Sequence, residues 1–143
     1  MNLLEKMTSA FRIDASQKAS NEQEIKQLIE FSPIAVLDEY LAIIRNITDV
    51  EINVSGKIYI RIWGAKFCIE MNQAHMIQHY IPNSLAIGDD EGENILLYAD
   101  GTQGFGLYAV GFGDLEYEEM MYIAPSLTAL LTENQGLNMV ENL

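Results

Sequence analysis

Apolar residues recur with a helical period in the first third of the chain. They predict a helix over residues 21–30, and Ser20 with Gln23 matches a capping box at its start. Pro33 ends this pattern, because proline interrupts a helix. A second apolar face predicts a helix over residues 36–46. The chain therefore begins its regular structure with two consecutive helices.

Beyond residue 50 the apolar period changes to that of strands, separated by glycine-containing turns. A short helix is expected over residues 72–79, and a closing helix over residues 125–132, where Pro125 suits a first turn. In residues 1–19 only a few apolar positions fit one face of a short helix. The predicted strands lie at about residues 52–54, 59–63, 67–70, 84–87, 95–98, 106–112 and 120–123.

This order of elements indicates one α+β domain, in which a largely antiparallel sheet of about five or six strands packs against helices. A chain of 143 residues is the size of a single domain. We place the domain at residues 20–136, preceded by an N-terminal segment at residues 1–19 and followed by a C-terminal tail at residues 137–143.

Composition indicates the cellular compartment of this domain. The single cysteine, Cys68, excludes an intrachain disulfide and fits a reducing compartment. The first residues carry charges where a signal peptide needs an apolar run, and no apolar stretch approaches the length of a membrane span. These features predict a cytoplasmic protein.

Charge is distributed unevenly along the chain, whose net charge is −13. All eight lysine and arginine residues lie at or before Lys66, among nine acids, whereas twelve acids and no basic residue follow it. The acidic part is rich in apolar residues, so its charge is displayed on folded structure rather than on a disordered tail.

Two interpretations of this charge remain open. Acidic surfaces often serve solubility alone. A field of one sign also attracts a cationic partner and repels nucleic acid and anionic membranes. The second interpretation predicts a cationic partner and neither nucleic acid nor membrane.

Residues 88–94 have some features of a calcium loop but lack its complete pattern. Asp89, Glu91 and Glu93 have the spacing of the first three ligands, but Asn94 occupies the position that requires glycine, the twelfth position is Asp100, and no predicted helix flanks the loop. A solvated turn between two strands fits this segment better.

No spacing of residues selects a catalytic or cofactor site. His75 and His79 stand four apart on the predicted helix, without a third metal ligand fixed by the sequence. Cys68 lies in an apolar run and is expected in the core rather than as a reactive thiol. We expect no metal, no cofactor and no enzymatic activity.

Four segments together resemble the SUKH superfamily, which includes the fungal Smi/Knr regulators and bacterial immunity proteins. The resemblance covers roughly residues 20–133, and departs from the usual family pattern at residues 46–49 and at the acidic turn, so that it leaves the subfamily open. The segments are the helix at residues 36–44, the Ile-Gly-Asp-Asp run at 87–90, Val-Gly-Phe-Gly-Asp at 110–114 and Ala-Pro-Ser-Leu at 124–127.

The resemblance implies an α+β fold without catalysis, and an immunity protein that neutralises a cognate polymorphic or contact-dependent toxin by direct binding. Many such toxins are nucleases, whose phosphate-binding clefts are basic. The alternative is a regulatory or scaffold protein that binds a host protein. Neither hypothesis fixes the oligomeric state. Combined with the charge, the resemblance suggests these partner contacts: Asp89, Asp90, Glu91, Glu93, Asp114, Glu116, Glu118 and Glu119.

Overall fold

A computed structural model describes residues 3–143, which form one α+β domain. All seven strands belong to one antiparallel sheet, in which neighbours along the chain are neighbours in the sheet. This confirms the predicted fold class, with one or two more strands than expected. The strands are β1 (Phe11–Lys18), β2 (Ile47–Val54), β3 (Ile58–Ile62), β4 (Ser84–Asp89), β5 (Asn94–Gly101), β6 (Gly104–Gly111) and β7 (Met121–Ala124).

Pairs of helices lie between β1 and β2, between β3 and β4, and after β7. Short 3-10 turns add Leu3–Lys6 and Tyr117–Glu119. No helix within residues 3–143 has the length and apolar character needed to cross a membrane. The helices are α1 (Glu22–Phe31), α2 (Asp38–Ile44), α3 (Ala65–Ala74), α4 (Ile77–Tyr80), α5 (Leu127–Glu133) and α6 (Leu137–Glu141).

Burial along the strands shows where the core lies. In β2 every second residue from Val50 to Val54 is fully buried, so one face of this strand packs inward. Every residue of β4 is buried, which means that both faces of the sheet are covered there. Helices α3 and α4 contact β4, whereas α2 contacts β2 and α5 contacts β7.

The segment assigned to an N-terminal extension supplies the edge strand β1, which pairs with β2 along its length. Its strand pattern is short, because Phe11, Ile13 and Ala15 alternate with polar residues and the rest of the strand is polar, and every residue after Phe11 is exposed. At the other end, α6 lies within the predicted tail and buries Val140 completely. Both terminal segments therefore contribute structure to the domain.

Two local predictions were wrong. Residues 67–70 belong to α3 rather than to a strand, because Ala65, Cys68 and Asn72 form one buried helical face. The capping box at α1 is formed by Asn21 and Glu24, one residue after the predicted pair, with the Asn21 side chain accepting from the Glu24 N–H. The hydroxyl of Ser20 instead accepts the N–H of Ala65, the first residue of α3, at 2.9 Å.

The sheet narrows between β3 and β4, where only two residue pairs are in register. At Gly88 the strands approach so closely that a Cβ atom would clash with the carbonyl oxygen of Arg61. Beyond this junction the amide of Asn72 replaces the missing strand. Its Oδ1 accepts the N–H of Ala86 at 3.0 Å, and its Nδ2 donates to the Ala86 carbonyl at 2.8 Å.

A second connection, which is partly buried, joins α2 to α5 through the carboxylate of Glu39. Its oxygens accept the N–H groups of Leu127 at 2.8 Å and Thr128 at 3.0 Å, the Thr128 hydroxyl at 2.7 Å and the Tyr98 hydroxyl at 2.6 Å. A negative charge at a helix N-terminus is favourable because the first N–H groups have no partner within the helix. Glu39 therefore fixes α5 against the sheet.

We predict that Asn72→Leu destabilises the domain by about 2–4 kcal/mol, because the buried N–H of Ala86 loses its partner, while the Ala86 carbonyl loses the amide and keeps the weak thiol donor of Cys68. Urea unfolding followed by circular dichroism measures this change. Gln73→Leu on the exposed side of the same helix is the control and should have little effect. Equal destabilisation by both substitutions would contradict the role given to Asn72.

Candidate functional site

The two predicted acidic turns lie side by side at one end of the sheet. The first joins β4 to β5 and the second follows β6. They are connected by the N–H of Phe112, which donates to the carbonyl of Glu93 at 2.8 Å. The pairing of Asn94 with Gly111 begins at the same point. Antiparallel pairing thus brings together acids that are more than 20 residues apart in the sequence.

Asp89 is a buried structural residue, contrary to the expectation that it is an exposed turn position. It is 4 % exposed. Its Oδ2 accepts from Arg61 Nη2 at 2.8 Å and from the indole Nε1 of Trp63 at 2.9 Å, and its Oδ1 accepts the N–H of Glu91 at 2.9 Å. A partner cannot reach this carboxylate without breaking the contact between β3 and β4.

Asp90 builds the turn itself. One of its carboxylate oxygens accepts the N–H groups of Gly92 at 2.9 Å and Asn94 at 3.0 Å, and the other accepts the side-chain amide of Asn94 at 3.0 Å. Such bonds to following N–H groups are the reason that Asp favours turns. Its carboxylate is committed to the loop and is only partly available to a partner.

Glu91 lies near three other charged side chains, those of Glu51, Arg61 and Asp89. Partial burial and the carboxylate of Glu51 raise the pKa of Glu91 from its ordinary value of 4.5 to about 7, although Arg61 acts in the opposite direction. The backbone of Glu91 has φ 58°, a left-handed conformation that is uncommon outside glycine. Glu91 therefore carries a proton more readily than an ordinary glutamate.

The remaining predicted acids form an exposed group, which we call the acidic end. Within residues 3–143 no lysine, arginine or histidine nitrogen lies at ion-pair distance from any of them. Their charge is therefore directed into solvent and is compensated only by distant groups. The acidic end consists of Glu93, Asp114, Glu116, Glu118 and Glu119.

A groove of about 450 Å³, which we call the β6 groove, borders the acidic end. It lies where α3 and α4 meet the segment after β6, and the rings of His75 and Phe112 are in contact across it, with centroids 4.7 Å apart. Met76 and Tyr80 are each about half exposed, at 52 % and 51 %. The residues that line the groove are Ala74, His75, Met76, Tyr80, Phe112, Gly113, Leu115 and Glu116.

The sequence did not reveal this groove, because it depends on how α3 ends. The helix predicted over residues 72–79 is interrupted at Met76, whose φ of 53° separates α3 from α4. His75 and His79 consequently lie on different helices, and His79 contacts the ring of Tyr80 instead. The two histidines do not share the helical face that a metal site would require.

Two other candidates for chemistry are the thiol of Cys68 and a metal site. Cys68 is fully buried, which confirms its predicted place in the core, and burial raises the pKa of its thiol to about 12. A thiol held in its protonated form is a poor nucleophile. Among residues 3–143, no three His, Cys, Asp or Glu side chains are placed together as metal ligands.

A second groove, of about 470 Å³, lies at the start of α3. Two lysines and three acids line it, namely Lys18, Lys66, Glu24, Asp49 and Glu70. Its mixed charge contrasts with the β6 groove, whose lining contains Glu116 and no lysine or arginine. The β6 groove and the acidic end together are therefore the stronger candidate for a site with a defined partner chemistry.

Comparison of the chain with models of known protein families and with curated proteins finds no match. The resemblance to the SUKH superfamily thus rests on the motifs themselves. In the fold these correspond to α2, the end of β4 with its turn, the end of β6, and the start of α5. Two of the four motifs lie next to the acidic end.

We predict that the stability of the protein falls as pH rises from about 5 to about 8, and that Glu91→Gln removes part of this fall. Because its pKa is raised in the folded state, Glu91 holds more protons folded than unfolded between its ordinary pKa and about 7. Deprotonation in this window therefore favours unfolding.

Urea unfolding at several pH values measures this effect as a difference between the variant and the parent. Glu93→Gln, at an exposed acid of the same turn, is the control and should follow the parent. If the parent and Glu91→Gln have parallel pH profiles, the proton is not held at Glu91.

Proposed function

We propose that this protein is a non-catalytic binding domain that neutralises a basic toxin domain by direct contact, as an immunity protein does. The observation that carries the proposal is the acidic end, five exposed carboxylates with no cation at ion-pair distance among the described residues. Here one sign is concentrated at one end of the sheet.

Electrostatic attraction accounts for how such a surface finds its partner. Complementary potentials raise the rate of encounter and suppress wrong partners, and the effect weakens as salt screens the charges. A toxin that acts on nucleic acid needs a basic cleft to hold phosphates. An acidic surface can occupy that cleft and exclude the substrate without any chemistry.

The resemblance to the SUKH superfamily supports the toxin as partner. In the regulatory alternative, the same surface binds a host protein, and binding does not protect cells from a toxin. Protection of cells from the toxin encoded by a neighbouring gene supports the first hypothesis, and binding to a host protein without such protection supports the second.

We predict that reversing Glu93, Asp114 and Glu116 to lysine slows association with the neighbouring gene's toxin domain by about tenfold or more at low salt. Stopped-flow mixing at several salt concentrations measures the rate. The substitutions leave Asp89 and Asp90 in place, because these two hold the fold and the turn. Co-expression measures protection of cells by the same variant.

The control reverses an equal number of exposed acids outside the acidic end, namely Glu5, Asp100 and Glu133. This variant has the same net charge as the first, so it separates the position of the charges from their sum. Unchanged binding and protection by the first variant would overturn the proposed contact. Equal impairment of both variants would show that net charge, rather than the acidic end, controls association.

A further inference from the structure

Charged side chains meet on one face of the sheet at the narrow junction between β3 and β4. Glu51 of β2 lies directly opposite Arg61 of β3, and Arg61 lies directly opposite Asp89 of β4. Directly opposite residues on neighbouring strands have their side chains on the same face. We call this group the junction cluster, and it consists of Asp49, Glu51, Arg61, Asp89 and Glu91.

The junction cluster contains more negative than positive charge. Arg61 donates to Asp89 at 2.8 Å, and this is its only ion pair in the described part of the chain. No lysine, arginine or histidine nitrogen of residues 3–143 lies at ion-pair distance from Asp49, Glu51 or Glu91. These three carboxylates are therefore held near one another without a cation of their own.

Two buried atoms of the cluster lack a hydrogen-bond partner within residues 3–143. They are Oδ1 of Asp49 and Nε of Arg61. The backbone of Asp49 has φ 46°, a left-handed conformation that is uncommon outside glycine. Unpaired buried polar atoms and left-handed residues each cost free energy. The junction is therefore a weak point of the sheet in its bonding as well as in its length.

Glu91 approaches the cluster from the turn after β4. Its N–H donates to Oδ1 of Asp89 at 2.9 Å, its carboxyl lies beside that of Glu51, and both glutamate side chains reach solvent. Partial burial and the Glu51 carboxylate raise the pKa of Glu91 to about 7. A proton held between Glu51 and Glu91 connects β2 to this turn across β3. Its loss leaves two facing carboxylates that repel each other.

The elements around the cluster supply no further cation to it. The row of opposite residues ends at uncharged side chains, Ala15 of β1 and Ile95 of β5. Arg12 of β1 is paired with Asp14 at 2.6 Å. None of the charged groups around the cluster in residues 3–143 forms an ion pair with it. Asp49 also borders the groove at the start of α3, whose other charged lining residues are Lys18, Lys66, Glu24 and Glu70.

We propose that the junction cluster is a pH-sensitive latch, which is closed while Glu51 and Glu91 share a proton and opens the junction between β3 and β4 when that proton is lost. Opening is a local separation of the two parts of the sheet, distinct from unfolding of the whole domain. The latch makes the geometry of the acidic turn depend on pH. It needs no partner and is independent of the proposed function.

The direction of the pH effect depends on which form of the junction holds the proton more tightly. In the closed junction the pKa of Glu91 is raised, whereas in the open junction it returns to its ordinary value of 4.5. Opening therefore releases a proton and becomes more favourable as pH rises from about 5 to about 7. Above about pH 8 the pair is ionised in both forms, and the effect levels off.

Trp63 is a natural probe of the junction. It is the single tryptophan of the chain and is 1 % exposed. Its backbone N–H donates to the carbonyl of Ile87 at 2.8 Å, and its indole N–H donates to Asp89 at 2.9 Å. Both bonds join β4 to the end of β3 and break when the junction opens. Exchange of these two hydrogens with solvent therefore reports opening.

Hydrogen exchange followed by NMR from about pH 5 to about pH 8 tests the proposal. After division by the intrinsic exchange rate at each pH, opening at Trp63 should increase about tenfold across this range in the parent. Glu51→Gln and Glu91→Gln each remove the repulsion between two carboxylates, so each should abolish most of the increase. Amides in the pairing of β5 with β6, which does not involve the junction, should not follow it.

Two controls separate the latch from other titrating groups. Glu93→Gln removes an exposed acid of the same turn. The double variant His75→Asn, His79→Asn removes both histidines of the chain, which ordinarily titrate in the same range. Both control variants should keep the tenfold increase. Thermal unfolding of every variant confirms that it is folded.

Constant opening at Trp63 across the pH range in the parent would contradict the latch. An unchanged increase in both Glu51→Gln and Glu91→Gln would do the same, as would loss of the increase in the histidine variant. A parallel increase at the amides of β5 and β6 would show that the whole domain unfolds, which excludes local opening at the junction.

Discussion

The narrow junction between β3 and β4 is the constraint on which the rest of the structure depends. Two residue pairs and the ion pair between Arg61 and Asp89 hold the strands together, and the Asn72 amide replaces the strand that is missing beyond them. The chain leaves the sheet here to form α3 and α4. The turn between these helices places Met76 beside the segment that follows β6. The same junction therefore maintains the sheet, positions the groove and fixes the acidic turn.

Much of the fold follows from local sequence patterns, while most of the site does not. Strands β5 to β7 alternate or run apolar between clear turns, and pattern alone locates them. Strand β1 alternates only from Phe11 to Ala15, and all its residues after Phe11 are exposed. Helix α3 hides its period because a buried polar residue, Asn72, occupies its inner face. Local patterns fail where a residue's role depends on a partner distant in the sequence.

The acids illustrate the same limit at the level of single residues. Asp89 and Glu93 look alike in the sequence, yet the first binds an arginine 28 positions away and the second faces solvent. Glu39 is separated by 88 residues from the helix that it caps. Charge counts correctly located an acidic part of the chain, but only strand pairing determines which carboxylates meet at its surface.

The order of the strands also has a consequence for how the chain folds. Every strand pairs with its neighbours in sequence, so hairpins can form from local contacts and close with little loss of chain entropy. Two pairings are exceptions: α1 and α2 separate β1 from β2, and α3 and α4 separate β3 from β4, so each of these connections must first fold into two helices. We expect β1–β3 and β4–β7 to behave as two cooperative units that exchange their amide hydrogens separately when the junction opens.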